Sequence, residues 1–224
     1  MSRWCPGCTV AVFLAGLLTI MTHQARGTGE EHDYVGTKSC KKCHFEIWES
    51  WTKTKMANSF HVLLPDSALK TDKETGLTDE WIAQIKANKT KAHRPIEPDK
   101  DYTRDPDCLR CHTTGYGLPG GYAVPDPKDK KAQRKANDLQ GVGCESCHGP
   151  GSQYVKIFEE IQDKQRQYTR QELYSAGLSP VDAQTCVRCH NKESPLVAED
   201  YVFDYETRKA EGIHQRVELK LRKE

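Results

Sequence analysis

Apolar residues recur at helical spacing in two long stretches of an otherwise polar chain. In the first stretch they follow the i, i+3, i+4, i+7 pattern of one helix face, and a second row continues at steps of four. The first row is His44, Ile47, Trp48 and Trp51, and the second is Trp48, Thr52, Met56 and Phe60. Residues 152–166 repeat the spacing with Tyr154, Val155, Phe158 and Ile161. The pattern predicts a helix in each stretch, with its aromatic side chains packed inward.

Two further helices are indicated by capping residues. Ser179 followed by Pro180 is typical of a helix start, because serine caps the first turn and proline fits the first helical position. Thr78 or Asp79 would cap a short helix that carries Trp81.

The chain between residues 115 and 127 is rich in glycine and proline, which interrupt regular structure. Lys128 to Lys135 follows as a charged stretch that we expect to be solvated. Together with the helices, these loops predict a mainly α fold with long loops.

The first residues resemble a secretory leader. Arg3 precedes an apolar run from Thr9 to Met21, and small residues follow near Gly27, as in a cleaved signal peptide. The run is short for a membrane span, although an uncleaved anchor is the alternative. We therefore expect residues 1–27 to be a cleaved signal peptide, residues 28–224 to form a single domain, and the protein to be periplasmic.

The composition limits both the core and the partners. Hydrophobic residues make up 36% of the chain, which is little for a core of side chains alone. The formal net charge is +1, and the basic residues are not interleaved with aromatic ones, so nothing indicates nucleic acid. Of ten cysteines, Cys5 and Cys8 fall in the leader, which leaves eight.

Those eight cysteines form four copies of one motif, Cys-x-x-Cys-His. The spacing is the attachment signature of c-type haem, in which two thiols bind the haem vinyl groups and the histidine binds iron. Positions i, i+3 and i+4 share one face of a helical turn, so all three groups can meet one flat macrocycle. The four sets are Cys40, Cys43 and His44; Cys108, Cys111 and His112; Cys144, Cys147 and His148; Cys186, Cys189 and His190.

The alternative for paired cysteines is structural zinc, with two motifs sharing each ion. Zinc does not require a histidine directly after every second cysteine, so four covalently bound haem c groups are the stronger interpretation. We expect stacked haems to supply the apolar mass that the side chains lack, in a multihaem cytochrome c architecture, and the apoprotein to be largely unfolded.

Each haem iron has a second axial position, and few side chains can fill it. Methionine and histidine are the common ligands. The candidates outside the leader are Met56, His61, His93 and His214, with His32 a weaker one. An iron without such a ligand would be open to small molecules.

These residues resemble the tetrahaem cytochrome c-554 family. The similarity runs in order from residue 34 to residue 216, and its third block is the most specific. The matching stretches are Tyr34–His44, Trp48–Trp51, Asp101–His112, Gly115–Gly117, Gly120–Tyr122, Gly141–Gly151, and Phe203–Asp204 followed by His214.

The resemblance implies closely stacked haems and electron transport in the periplasm, with hydroxylamine oxidoreductase as the electron donor of the best-known member. In that member three haems have two histidine ligands and the haem of the second motif is five-coordinate. By position, the resemblance implies that His112 holds the open haem and that His214 is a distal ligand, at the haem of the fourth motif.

Two positions depart from that member. Met56 stands where it has a distal histidine, so ligation of one iron by His148 and Met56 is a reasonable hypothesis. Residues 152–158 lack the histidine that it carries after the third motif. The haem of His44 would then use His61, His93 or another group, or stay open.

The sequence thus favours an electron shuttle between redox enzymes, with redox proteins as partners. The rival is a haem enzyme acting on a small nitrogen compound such as nitric oxide, with Tyr102, Asp105 and Asp107 as candidates to line the pocket. A membrane-tethered subunit of a respiratory complex is a third class, and it depends on retention of the leader.

Overall fold

Short helices joined by long loops make up the fold. The computed structural model describes residues 32–65, 83, 97, 99–194, 201–209 and 213–223, which belong to one compact unit spanning residues 31–224. The helices are α1 (Thr37–Lys41), α2 (Phe45–Thr52), α3 (Pro106–His112), α4 (Lys130–Asp138), α5 (Cys144–His148), α6 (Tyr154–Lys164), α7 (Arg170–Ser175), α8 (Ala183–Val187) and α9 (Tyr205–Arg208). A 3-10 helix spans His61–Leu63, and strands β1 (Tyr168–Thr169) and β2 (Arg222–Lys223) pair in parallel. The expected mainly α class with long loops is confirmed.

The buried side chains form two small clusters. The first surrounds Leu109 and Leu139, which are 0% and 1% exposed, and the second surrounds Ile161 on α6. The other members of the first cluster are Tyr34, Phe60, Leu63, Tyr102, Cys108, Tyr122 and Ala136; those of the second are Tyr154, Phe158, Tyr168, Leu173 and Ala176.

The amphipathic helix expected over residues 152–166 is present as α6. Its buried positions Tyr154, Phe158 and Ile161 are the ones that the spacing selected. In the first stretch, the helix is interrupted between Lys41 and Phe45, and Trp51 is the buried residue of α2.

Helix α4 was not expected, because its sequence is polar on nearly every face. Asp129 caps its first turn, since the carboxylate accepts hydrogen bonds from the backbone N–H groups of Lys131 (2.8 Å) and Ala132 (3.0 Å). At its other end Ala136 and Leu139 are buried in the first cluster. The stretch from Lys128 to Lys135 is therefore partly helical, and its cationic side chains are exposed, as expected.

The helix expected to start at Ser179 begins later. Asp182 is the N-cap of α8, and its side chain and that of Thr185 form a reciprocal capping box. The backbone N–H of Ser179 instead donates to the carbonyl of His148, at 2.8 Å, so Ser179 belongs to a tertiary contact.

Two sequence predictions fall outside the described residues: the helix carrying Trp81 and the leader. Among the residues that the structure describes, no helix is long and apolar enough to cross a membrane.

Candidate haem-attachment sites

All four CxxCH motifs form a helical turn, as the spacing predicted. The second motif lies entirely within α3 and the third within α5. In the other two, the histidine N–H donates to the carbonyl of the first cysteine, from His44 to Cys40 at 3.0 Å and from His190 to Cys186 at 2.9 Å. Each motif thus presents its two thiols and its imidazole from a single turn.

The imidazoles of the four motifs lie in environments that favour the neutral ring. Burial lowers the pKa of His44, His112, His148 and His190. A neutral ring has a free nitrogen lone pair, which is what an axial ligand needs. His112 has in addition a second contact, because its Nδ1 lies 2.5 Å from the carbonyl oxygen of Ser59. An Nδ1–H that donates to this carbonyl fixes the ring and leaves Nε2 for the metal.

The motifs lie next to one another in two pairs. The thiols of Cys40 and Cys144 interact with each other, which raises the pKa of Cys40 and lowers that of Cys144. The thiols of Cys111 and Cys189 make the same contact, which lowers the pKa of Cys111 to about 7. The first motif therefore adjoins the third, and the second adjoins the fourth.

The third and fourth motifs connect these pairs. The Nη2 group of Arg188 donates to the carbonyl of Ser146 at 2.7 Å, which joins the variable positions of the two motifs. At the other pair, Arg110 donates to the carboxylate of Glu193 at 2.6 Å. The motifs consequently follow one another in space in the order first, third, fourth, second.

The cysteine chemistry fits haem attachment better than zinc. None of the eight motif cysteines forms a disulfide, so all are available for thioether formation. In the part of the chain that the structure describes, which includes these eight, no group of three or more histidine, cysteine, aspartate or glutamate side chains is arranged to hold a metal ion. A structural zinc site would need four such ligands together.

His214 lies beside the histidine of the third motif. The centroids of the His148 and His214 rings are 6.5 Å apart, and the two planes are inclined by 39°. Two imidazoles that share one metal at a metal–nitrogen distance of about 2 Å have centroids about 6 Å apart. The described ring contact of His190, by contrast, is with Phe203 at 4.6 Å. The structure thus brings His214 to the third motif, not to the fourth as the resemblance implied.

The other distal candidates differ in what the structure shows of them. The backbone carbonyl of Met56 accepts a hydrogen bond from Val142 N–H at 2.9 Å, two residues before Cys144. His61 is exposed on the 3-10 helix, and His93 lies outside the described residues. The Nδ1 atom of His32 is buried without a hydrogen-bond partner, close to Gly177.

A buried carboxylate inside the third motif was missed by the sequence analysis. Glu145 is 1% exposed. Its oxygens accept hydrogen bonds from the backbone N–H groups of Val35 (2.9 and 3.1 Å), Gly36 (2.8 Å) and Gly151 (2.7 Å). Burial raises the pKa of the Glu145 carboxyl, and these three donors oppose that change. Glu145 thereby ties the third motif to the segment that leads into Cys40.

The glycines around the third motif could have indicated such contacts. The Cα of Gly151 faces Glu145, and an added Cβ would lie 2.9 Å from its Oε1 atom. Gly141 has a φ of +75° and lies against the carbonyl of Ala57. In both cases the close approach is to protein atoms.

Four helical turns that each present two free thiols and a neutral imidazole define a c-type cytochrome. The comparisons agree with this class. The sequence profile of the family described as "Cytochrome c554 and c-prime" matches residues 39–95 and 79–149. The chain belongs to the cytochrome c-554 family.

Two comparisons with Nitrosomonas europaea extend over most of the chain. Its cytochrome c-554 is 31% identical over 180 residues, which are 79% of this chain and 64% of that protein, so the alignment spans a little under two thirds of the relative. The solved structure of the reduced state of cytochrome c554 from the same organism matches with a TM-score of 0.64 and 27% identity. It covers 87% of this chain and 91% of the solved chain.

Proposed function

We propose that this protein is a periplasmic tetrahaem electron carrier. It would accept electrons from a redox enzyme, of the hydroxylamine oxidoreductase type or another respiratory partner, and pass them to a second redox protein. Family membership supports the electron-carrier role, and the four CxxCH motifs support the number of haems.

The observation that supports this proposal is that the four motifs lie next to one another. A relay needs neighbouring redox centres, and the cysteine contacts place the first motif against the third and the second against the fourth. The hydrogen bond between Arg188 and Ser146 joins the third motif to the fourth motif. No motif stands apart from the other three.

The residues of the chain would hold and orient the cofactors. Cys40, Cys108, Cys144 and Cys186, each with the second cysteine of its motif, would form the thioethers, and the four motif histidines would be axial ligands. Bound haem c would supply one-electron chemistry at iron. The Ser59 carbonyl would hold the His112 ring in one orientation and increase its basicity as a ligand.

Periplasmic location rests on the apolar run from Thr9 to Met21, which is typical of a signal peptide. It also agrees with the chemistry, because c-type haem is attached outside the bacterial cytoplasm.

Electron paramagnetic resonance of the oxidised protein tests the carrier against the enzyme. We expect low-spin signals from the haems, because a carrier is best served by irons with two axial ligands. A full high-spin equivalent per chain, together with turnover of nitric oxide or hydroxylamine, would instead favour an enzyme with an open haem.

The described residues before the second motif give little support to the alternative of a haem enzyme with an open pocket. Asp105 is the N-cap of α3, and its carboxylate accepts a hydrogen bond from Asp107 N–H at 3.0 Å. Tyr102 is buried, and its hydroxyl accepts a hydrogen bond from Glu97 N–H at 2.9 Å. These contacts are structural, so the enzyme is kept as an outcome of the spin-state measurement.

Distal ligation can be tested with two single variants and their combination. We expect His214→Ala and Met56→Ala each to convert one low-spin haem to high spin, and the double variant to convert two. An iron has one distal position, so if His214 fills it at the iron of His148, Met56 must serve a different iron and not that of His148. His214 would serve the iron of His148, because the centroids of the two imidazole rings are 6.5 Å apart. The measurement is the number of high-spin equivalents per chain by electron paramagnetic resonance.

Met56→Leu is the matched control, because leucine keeps the apolar volume and lacks the thioether. It should behave like Met56→Ala. A low-spin spectrum in Met56→Leu would show that Met56 only packs, and a double variant with one high-spin haem would place both side chains at the same iron.

A further inference from the structure

Helix α4 carries an unusual concentration of exposed positive charge. Five cationic side chains occur in the eight residues 128–135, four of them on α4 and one two residues before it, and all are exposed. They are Lys128, Lys130, Lys131, Arg134 and Lys135. Among the described residues, none of the ion pairs involves any of the five.

The acidic residues of the same stretch accept hydrogen bonds from other groups, although beside the backbone N–H groups of Ala132 and Lys131 the charges of Lys131 and Arg134 also lower the pKa of the Asp129 carboxyl. The Asp129 carboxylate caps the helix through Lys131 N–H and Ala132 N–H. Asp126 accepts a hydrogen bond from Lys128 N–H at 2.8 Å. Asp138 accepts from the Thr37 hydroxyl (3.0 Å) and from Lys38 N–H (3.3 Å). The basic surface is therefore left without a neutralising ion pair in the described structure.

This arrangement works against the stability of α4. Lys130 and Lys131 occupy the first turn, where the helix dipole disfavours cations. Arg134 lies four residues after Lys130, and Lys135 four residues after Lys131, so the like charges repel at the closest spacing on a helix. Local rules are broken in this way mainly where a function requires it.

The position of α4 connects this surface to the haem motifs. Just beyond its last turn, the carbonyl of Leu139 accepts from Thr114 N–H at 2.8 Å, and Gly141 N–H donates to the carbonyl of His112 at 3.0 Å. Asp138 contacts Thr37 at the start of α1, which carries Cys40. The nine residues of the helix span about 13.5 Å, so a protein bound along it would lie beside the first and second motifs.

We propose that the basic surface made of Lys128 and the α4 residues Lys130, Lys131, Arg134 and Lys135 is the docking surface for an acidic face on a protein redox partner. The inference rests on the proposed electron-carrier function and names the chemistry of its partner. An anionic membrane would be the other negatively charged surface. Membrane-bound amphipathic helices insert an apolar face, but the apolar residues Ala136 and Leu139 are buried in the first core cluster, at 3% and 1% exposure.

Flash reduction of the holoprotein by two donors tests the proposal. Reduced flavodoxin is an acidic redox protein, and photogenerated deazariboflavin semiquinone is a small neutral reductant. The α4 variant replaces four cations with glutamine, and the control variant makes the same change in net charge at four exposed cations on α6, α7 and the C-terminal segment. The α4 variant is K130Q/K131Q/R134Q/K135Q, and the control is K156Q/R170Q/K220Q/K223Q.

At low ionic strength we expect flavodoxin to reduce the α4 variant at least tenfold more slowly than the parent, with a much smaller change in the control. The difference should vanish at high salt, where the charges are screened. The R134Q/K135Q double variant should fall between the parent and the quadruple variant. The melting temperature of the α4 variant should equal or exceed that of the parent, whereas a purely structural role would lower it.

Either of two flavodoxin results would overturn the docking proposal: an unchanged rate of reduction in the α4 variant, or an equal loss of rate in the α4 variant and the control. A third result would point to a membrane surface instead. In that case the protein would bind phosphatidylglycerol vesicles in a salt-sensitive way, and the α4 substitutions would abolish this binding while the rate of reduction by flavodoxin is retained. The neutral donor distinguishes failure of the docking proposal from failure of the proposed electron-carrier function. If deazariboflavin semiquinone reduces all variants equally, electron uptake is intact; if it cannot reduce the parent, the electron-carrier proposal fails.

Discussion

The purified holoprotein should carry four covalently bound haems, one per motif, on a chain that begins after residue 27. All four motifs present free thiols on a helical turn, so none lacks the geometry for attachment. Intact-mass measurement under denaturing conditions tests both claims at once. A mass with fewer haems would show an unused motif, and a chain that retains residues 1–27 would favour a membrane-tethered protein.

Removal of single motifs should have unequal consequences. We expect Cys186→Ser with Cys189→Ser to leave a folded protein with three haems, because α8 buries none of its residues. Cys108→Ser with Cys111→Ser should instead impair folding, since α3 contributes Cys108 (7% exposed) and Leu109 (0%) to the first core cluster. Haem content by the pyridine haemochrome assay and far-ultraviolet circular dichroism would measure the contrast. Equal losses of structure would mean that the haems alone determine the fold.

The helices that could be predicted well from the sequence are those whose own hydrophobic pattern defines them. The face of α6 was identified because Tyr154, Phe158 and Ile161 repeat at helical spacing and are buried together. The helical turn of each CxxCH motif follows in the same way from local spacing.

Helix α4 and the start of α8 depend on information that is not periodic. The sequence of α4 offers only Ala136 as a buried residue within its bounds, and the helix is stabilised by the Asp129 cap and by packing at its end. For α8, two capping signals lie three residues apart; Asp182 caps the helix, and Ser179 lies before it, held by the hydrogen bond from its backbone N–H to the carbonyl of His148. The local pattern alone does not decide between the two caps.

The residues of the candidate site can be divided in the same way, into those that local sequence identifies and those that depend on distant residues. The cysteines and histidines could be named from sequence, because the chemistry fixes their spacing. The order of the motifs in space, the contact of His214 with the third motif and the role of Glu145 depend on residues far apart in the chain. Val35 and Glu145, for example, are separated by 110 positions.

Glu145→Ala should cause one of the largest losses of stability of any single substitution outside the haem ligands. The substitution removes the acceptor for the backbone N–H groups of Val35, Gly36 and Gly151, in a site where the side chain is 1% exposed. A buried donor that loses its acceptor costs about 1–3 kcal/mol, so three of them imply a loss of about 3 kcal/mol or more. For a chain of this size the melting temperature should fall by about 6 °C or more.

Glu159→Ala is the matched control, because Glu159 also connects the first motif region to a later helix. Its carboxylate pairs with Lys42 at 3.1 Å, but 44% of the Glu159 side chain is exposed. Exposed pairs contribute about 0–1 kcal/mol, so this variant should melt close to the parent. Glu145→Gln should lie between the two, since its amide oxygen still accepts while its NH₂ group faces a backbone donor. The measurement is the melting temperature of the four holoproteins, which are the parent and the three variants. If Glu145→Ala melted no lower than Glu159→Ala, the carboxylate would not be what ties the segment leading into Cys40 to the third motif.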